Sequence, residues 1–368
     1  MNRILRFNKL FVYLIFFFTL CFVNKLSADY VWRQYSYLTA DNINSAIFKD
    51  NYGWVVGDNG IIKITTDAGK TWQNQNSGIT AKLNKIFNAN NGFLVAVGDN
   101  KTVLISADSG VSWQNRSPIT FSNISEFFDV FADTTNIWAV GNNTIILHSL
   151  DRGLTWQMQY LGFNNSRCIK FFDNNFGIVL GHRQILMTYD AGVNWLAYNI
   201  PYSFKCAFFL NNYLWFAVTD DNKLYQTYEG PLLWRHLYSF NFDVKSITFY
   251  HYFDGWIVGN NGNVYRTKNN PMNWLKVTDI PANTNYNLNV ITTVNNDTLC
   301  VFGDNGYYYN RFYELQDTDY QRLYSADAGG DYFAFIGETI TLTAINTKAP
   351  DKQYLRYNWY FSEKSRNI

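Results

Sequence analysis

Four stretches share one template: TTDAGKTW at Thr65–Trp72, SADSGVSW at Ser106–Trp113, SLDRGLTW at Ser149–Trp156 and TYDAGVNW at Thr188–Trp195. Each reads small polar, any residue, Asp, any residue, Gly, two more positions, Trp. Two worn copies follow, TYEGPLLW ending at Trp234 and TKNNPMNW ending at Trp274, so the series Trp72, Trp113, Trp156, Trp195, Trp234 and Trp274 is almost evenly spaced. A fixed period of this kind is the mark of a repeat architecture. The residue types have a physical reason. The Asp carboxylate accepts backbone N–H groups of its own turn, the Gly adopts a left-handed conformation, and the Trp returns as a large apolar anchor.

A second marker keeps the same phase. Apolar runs close on Gly57, Gly98, Gly141, Gly181, Gly259 and Gly303, with the run ending at Val218 before Thr219 filling the gap, which makes seven units. Most runs are followed by turns such as Asp58-Asn59-Gly60 or Asn260-Asn261-Gly262, residues that tolerate positive φ in tight hairpins. Four short strands per unit, repeating at a period of this length, predict propeller blades. The seventh unit, from Asn289 to Tyr309, has no Asp motif or Trp after it, whereas Trp32 stands one full period before Trp72. The segment near Tyr30–Ser36 is therefore expected to close the ring as the outer strand of the last blade, removing an open edge.

Composition agrees with an all-β reading. Of 368 residues, 47% are hydrophobic and 19% aromatic, while only six are Pro, a balance that favours half-buried pleated surfaces. Arg3, Arg6 and Lys9 precede an apolar run from Leu10 to Val23, which reads as an export signal over residues 1–28 with Ala28 before the cleavage site. A retained anchor is the alternative, although the run falls short of the roughly 20 residues that a bilayer span needs. No later segment is apolar enough to span. Removing four cations takes the formal charge from +1 to −3, which leaves no electrostatic footprint for nucleic acid. Cys168, Cys206 and Cys300 are an odd, scattered set without a CxxC and read as small buried hydrophobes.

The four intact stretches resemble the Asp-box, or BNR, repeat. The pattern is carried by Asp67, Gly69 and Trp72, Asp108, Gly110 and Trp113, Asp151, Gly153 and Trp156, and Asp190, Gly192 and Trp195. The whole unit, with its VGDNG hairpin, is similar to the photosystem II assembly and stability factor type of propeller and more loosely to sortilin and the sialidases. The resemblance covers residues 30–313, the span that the repeat reads as a seven-bladed propeller, and implies that the box residues serve structure. The photosynthetic role is not carried over, since no residue here ties the chain to a photosystem. After a linker at 314–330, residues 331–368 contain GETITLTA and YLRYNWYF, alternating patterns that resemble the opening of a PKD or immunoglobulin-like sandwich.

Chemical signatures are sparse. There is no G-x-S-x-G, H-E-x-x-H, phosphate loop or dinucleotide fingerprint, and no cofactor is implied. His148, His182, His236 and His251 fall at different positions of their units and form no ligand ring, so no metal is expected. The enzyme alternative is a glycosidase. Sialidase-like chemistry lacks its R-I-P element here, and Asp129 and Asp173, after FF on neighbouring inner strands, are the carboxylate pair to weigh. Aligning inner strands on Phe48, Phe87, Phe128, Phe172, Phe209 and Phe249 places Lys85, Glu126 and Lys170 at one level, a candidate binding arc in the channel. The sequence reading is a monomeric, exported, non-enzymatic scaffold for a protein or glycan partner, with a glycoside hydrolase or lectin-like sugar binder as the alternative.

Overall fold

The computed structural model describes residues 30–313 except 36, 122–123, 161–164, 228–230, 252–253, 269, 281–284 and 295–297, together with 341–343 and 356–358. One compact body, Trp32–Phe312, is an all-β propeller. Beyond it, Thr341–Thr343 pairs antiparallel with Arg356–Asn358, inside the two alternating patterns read from the sequence. The proposed export signal, the linker and the rest of the tail lie outside the described residues. Among the described residues no helix is long and apolar enough to cross a membrane.

Units one to three each form a four-stranded antiparallel sheet, with inner segments Ile43–Lys49, Leu83–Asn88 and Phe127–Ala132. Unit six does the same from Val244–His251, and unit seven from Leu288–Thr293. The ring contains six sheets, not the seven expected. Units four and five share one six-stranded sheet because Leu196–Phe209 runs unbroken. Its first part pairs with Gly177–Thr188 of unit four and its last part, Phe204–Phe209, pairs with Trp215–Thr219 of unit five. Elsewhere a loop separates units; here Ile200-Pro201-Tyr202-Ser203 stays extended, and Pro is tolerated where no ladder bond requires its nitrogen.

The chain's first described strand, Tyr30–Gln34, is the outer strand of the unit-seven sheet, beside Tyr308–Tyr313. Trp32 is buried and packs edge-on to Trp256 of unit six at 5.8 Å, and the Tyr35 N–H donates to the Tyr308 carbonyl at 3.1 Å. Pairing the start of the chain with its end removes the exposed edge that an open array would present.

The Asp boxes are the turns between third and fourth strands. In box one the Thr65 hydroxyl donates to Asp67 at 2.7 Å, and the Thr71 N–H and hydroxyl donate to the same carboxylate at 2.8 and 2.6 Å. Equivalent bonds hold Asp108, Asp151 and Asp190. For Asp108 and Asp151, donation from Ser112 and Thr155 lowers the carboxyl pKa below its ordinary value. The box glycine docks on the preceding unit. Gly192 has φ +80°, and a Cβ there would lie 2.6 Å from Trp138 Nε1, so both the turn and the close approach demand glycine. The box thus works as a spacer that sets the distance between sheets.

Every inner segment also carries a β-bulge near its start. Ile43 pairs with Gly57 but Ser45 with Val56, leaving Asn44 as the extra residue. The same step occurs at Asn84, Phe128, Arg167, Lys205, Lys245 and Asn289. A bulge leaves one residue out of the ladder and re-aims its side chain.

Candidate functional site at the bulged rim

The bulge residues lie side by side on one rim of the ring, where inner segments begin and second-to-third-strand hairpins turn. In units seven, one and two the residue is Asn. Asn44 Nδ2 donates to Asp58 of its own hairpin at 2.8 Å and to the Leu83 carbonyl of the next unit at 3.0 Å. Asn84 repeats this with Asp99 and Phe127, and Asn289 with Asp304 and Ile43. These amides staple neighbouring units.

In units four, five and six the same position holds Arg167, Lys205 and Lys245. Lys205 Nζ bonds Asn222 at 2.6 Å and Asp243 at 2.5 Å, while Lys245 Nζ takes the other Asp243 oxygen at 2.7 Å. Burial works to raise the Asp243 carboxyl, but hydrogen bonds and charge from the two lysines outweigh it and lower its pKa. Arg167 lies over the Phe128 ring at 4.2 Å, a cation–π stack that leaves its N–H fork without a polar partner among the described residues. The bulge positions of this arc carry three cations, two of which share Asp243, and the unit-five hairpin beside them adds Asp220 and the Asp221–Lys223 pair.

One residue further along, Ser45, Lys85, Asp129, Cys168, Cys206, Ser246 and Val290 share a register level. The Asp129 carboxylate accepts N–H groups from Val130 and, in the next unit, Ile169, both at 2.9 Å, and Lys85 Nζ stands 3.6 Å away. Asp129 raises the Lys85 pKa against burial.

Register separates the trio suggested by the Phe alignment. Phe128 is itself the bulged residue, equivalent to Asn44 and not to Phe48, so Glu126 falls ahead of the bulge. Lys170 lies two residues beyond the Lys85 level, opposite Ile178. Lys85 and Lys170 nevertheless approach Asp129 from its two sides in the ring, and burial lowers the Lys170 pKa as its ammonium packs over Phe131 at 5.7 Å. Glu126 is half-buried, with its N–H donating to Asn142.

The carboxylates weighed as an acid–base pair are apart in role. Asp129 belongs to the interior level, while Asp173 closes the next turn by accepting N–H groups of Asn175 and Phe176. His148 is buried and stacks on Trp138, whereas His182 and His236 bond Ser203 and Ser239. No group of three His, Cys, Asp or Glu suited to a metal occurs among the described residues.

With this geometry in hand, the chain can be compared with known proteins. Residues 83–165 match the family model described as Photosynthesis system II assembly factor YCF48. That span is units two and three, from the first inner residue of one to the end of the other. Among solved structures, one described as YCF48 bound to D1 peptide is 18% identical with a TM-score of 0.64, covering 77% of this chain and 97% of that one. YCF48 from Cyanidioschyzon merolae is 16% identical with a TM-score of 0.63, covering 77% and 99%. The WD40 propeller domain of Doa1 is 10% identical with a TM-score of 0.60, covering 78% and 98%. No curated protein matches significantly. At these identities the solved structures establish the propeller fold, and the repeat resembles that of the YCF48 type.

Proposed function

We propose that the chain is an exported, non-enzymatic scaffold that holds an acidic segment, or the terminal carboxylate, of a partner protein against the cationic rim of units four to six. One observation carries this reading: three adjacent inner segments place Arg167, Lys205 and Lys245 at the same bulged position, and Arg167 presents a guanidinium with no polar partner among the described residues. A planar fork stacked on an aromatic ring is pre-organised for bidentate recognition of a carboxylate. Lys85 and Lys170, deeper in the ring, extend the positive potential inward around Asp129. The similar protein solved with a D1 peptide supports a peptide partner. The separation of Asp129 and Asp173 argues against the glycosidase alternative, whose chemistry needs two carboxyls flanking one bond.

The test is fluorescence anisotropy with a labelled peptide ending in acidic residues and a free carboxylate, set against its amidated, Lys-substituted counterpart. Arg167→Ala is expected to weaken the acidic peptide about tenfold or more, as for loss of a charge-assisted bond. The control peptide should bind weakly to both proteins. Equal affinity of wild type and an Arg167→Ala/Lys245→Ala double variant for the acidic peptide would refute the reading.

A further inference from the structure

Three tyrosines meet where the chain closes on itself, and nothing in the binding reading uses them. Tyr37 follows the closing strand Tyr30–Gln34, Tyr307 stands between the Asp304–Gly306 turn and the strand Tyr308–Tyr313 of unit seven, and Tyr286 precedes that unit's inner segment. The Tyr37 hydroxyl donates to the Tyr307 hydroxyl at 3.2 Å, and the two ring centres are 4.9 Å apart with their planes at 88°. With oxygens and centres both this close, the rings lie side by side with their hydroxyls at the same end, and the carbons ortho to those hydroxyls are brought together. Tyr286 packs on the Tyr307 ring with centres 4.1 Å apart, and the Leu38 N–H donates to the Gly306 carbonyl at 3.0 Å, which holds the Tyr37 segment down. Tyr37 is 54% exposed whereas Tyr307 is buried, so Tyr37 is the ring that a reagent in solution meets.

We propose that Tyr37 and Tyr307 are a cross-linking site, at which a peroxidase-type one-electron oxidant working with hydrogen peroxide joins the two side chains through an ortho–ortho carbon–carbon bond and seals the propeller covalently. The first oxidising equivalent takes a hydrogen atom from the exposed Tyr37 hydroxyl. Tyr307 then passes its own hydroxyl hydrogen atom across the 3.2 Å contact, which a phenol can do because it both donates and accepts. That moves the radical inward and restores Tyr37. A second equivalent oxidises Tyr37 again, the two phenoxyl radicals couple carbon to carbon, and each ortho hydrogen moves to its own oxygen to regenerate two phenols. Two hydrogen atoms are lost in all, and one hydrogen peroxide is reduced to two waters. The stacked pair Tyr35 and Tyr308 is an internal control: its centres are 5.2 Å apart, but the Tyr308 hydroxyl donates to the Gly69 carbonyl at 2.7 Å and so is not aimed at a second phenol that could relay the radical.

The full chain, kept dilute so that coupling within one molecule dominates, is treated with a haem peroxidase and hydrogen peroxide, followed by dityrosine fluorescence, then digested and mapped by mass spectrometry. The expected product joins the peptides that hold Tyr37 and Tyr307 and leaves Tyr35 and Tyr308 uncoupled. Because the bond closes a loop between positions 270 apart in the chain, the cross-linked protein should melt roughly 10 °C above the untreated one. Tyr307→Phe should remove this product and leave Tyr37 to couple only between molecules. The proposal fails if the native chain yields no dityrosine or couples Tyr37 to another residue of the same molecule. It fails equally if the Tyr37–Tyr307 product melts no higher than the untreated chain. None of these readouts depends on what binds at the rim.

Discussion

The two halves of the rim use one backbone device for different ends. In units seven, one and two the bulge residue is Asn, short enough for a single amide to divide its hydrogens between its own hairpin carboxylate and the next unit's carbonyl. In units four, five and six it is a long cation. Lys205 still reaches both its own hairpin and the start of the next unit, but Arg167 reaches back over Phe128 and bonds no polar group among the described residues. The difference teaches that the bulge is a position with two uses: filled by Asn, or by Lys205, it ties sheets together, and filled by Arg167 it releases that tie and presents charge. A ring needs every joint closed, so the relaxed joint at Arg167 is informative.

The sharpest way to break this comparison is to remove a tie. Asn44→Ala deprives Asp58 Oδ1 and the Leu83 carbonyl of their shared donor. Leaving such acceptors partly buried costs about 2–3 kcal/mol, which corresponds to a fall in Tm of roughly 5–10 °C. Calorimetry should show that fall with affinity for an acidic peptide unchanged. If instead Asn44→Ala weakens the peptide as much as Arg167→Ala does, the division into a structural and a binding half is wrong.

A transplant is the next test. Lys205→Asn converts a cationic joint into the kind found in unit two, with Asn222 in the hairpin and Val244 beginning the next unit. The expected outcome is a Tm close to that of wild type, with affinity for the acidic peptide reduced about three- to tenfold, the range for one partly solvated ionic contact. Titration calorimetry on the folded variant checks it. A large loss of stability would show that Lys205 is a structural joint in its own right.

Which parts of this were legible beforehand follows from what each signal measures. The Trp period reports one anchor per unit, and it led to the ring and to Trp32 as the closing residue, because large apolar anchors recur wherever one sheet packs on the next. The shared sheet of units four and five was hidden because Pro201 reads as a loop residue, although extended backbone accommodates it. The rim was hidden by the bulge. Alignment on Phe slides with hairpin length: Phe48 pairs with Gly53 and Phe87 with Val95, at different removes from Gly57 and Gly98, and Phe128 is not paired at all. Counting back from the end of the second strand would have served better. The interval from Arg167 to Gly181 is the same as from Lys205 to Thr219, from Lys245 to Gly259 and from Asn84 to Gly98. Lys85 and Asp129 were both noticed, but for separate chemistries, since nothing in the sequence states that they share a level.

The smallest expected effect is also the one that separates charge from shape. Among the described residues Asp243 is the carboxylate paired with the cationic arc, and its pKa is lowered by Lys205 and Lys245. A carboxyl whose folded pKa lies below its unfolded value stabilises the fold above the unfolded pKa of about 4, and that contribution is lost as pH falls through the folded value. Asp243→Asn should therefore remove part of the acid sensitivity of the protein and flatten its Tm profile below about pH 4. The box carboxylates Asp67 and Asp108, on the opposite rim, keep most of it, because their pKa values are also lowered and they are untouched by the change. At neutral pH the same substitution removes the carboxylate bonded to Lys205 and Lys245, leaving Asp220 and the Asp221–Lys223 pair of the unit-five hairpin as the acids nearby. Affinity for an acidic peptide is expected to rise about two- to threefold at low salt and to converge with wild type at about 0.5 M salt, where screening shortens the reach of the added charge to a few ångströms. A fall in affinity would mean that Asp243 orients Lys205 and Lys245 for binding, making the arc a shaped pocket in which the acid is a working part.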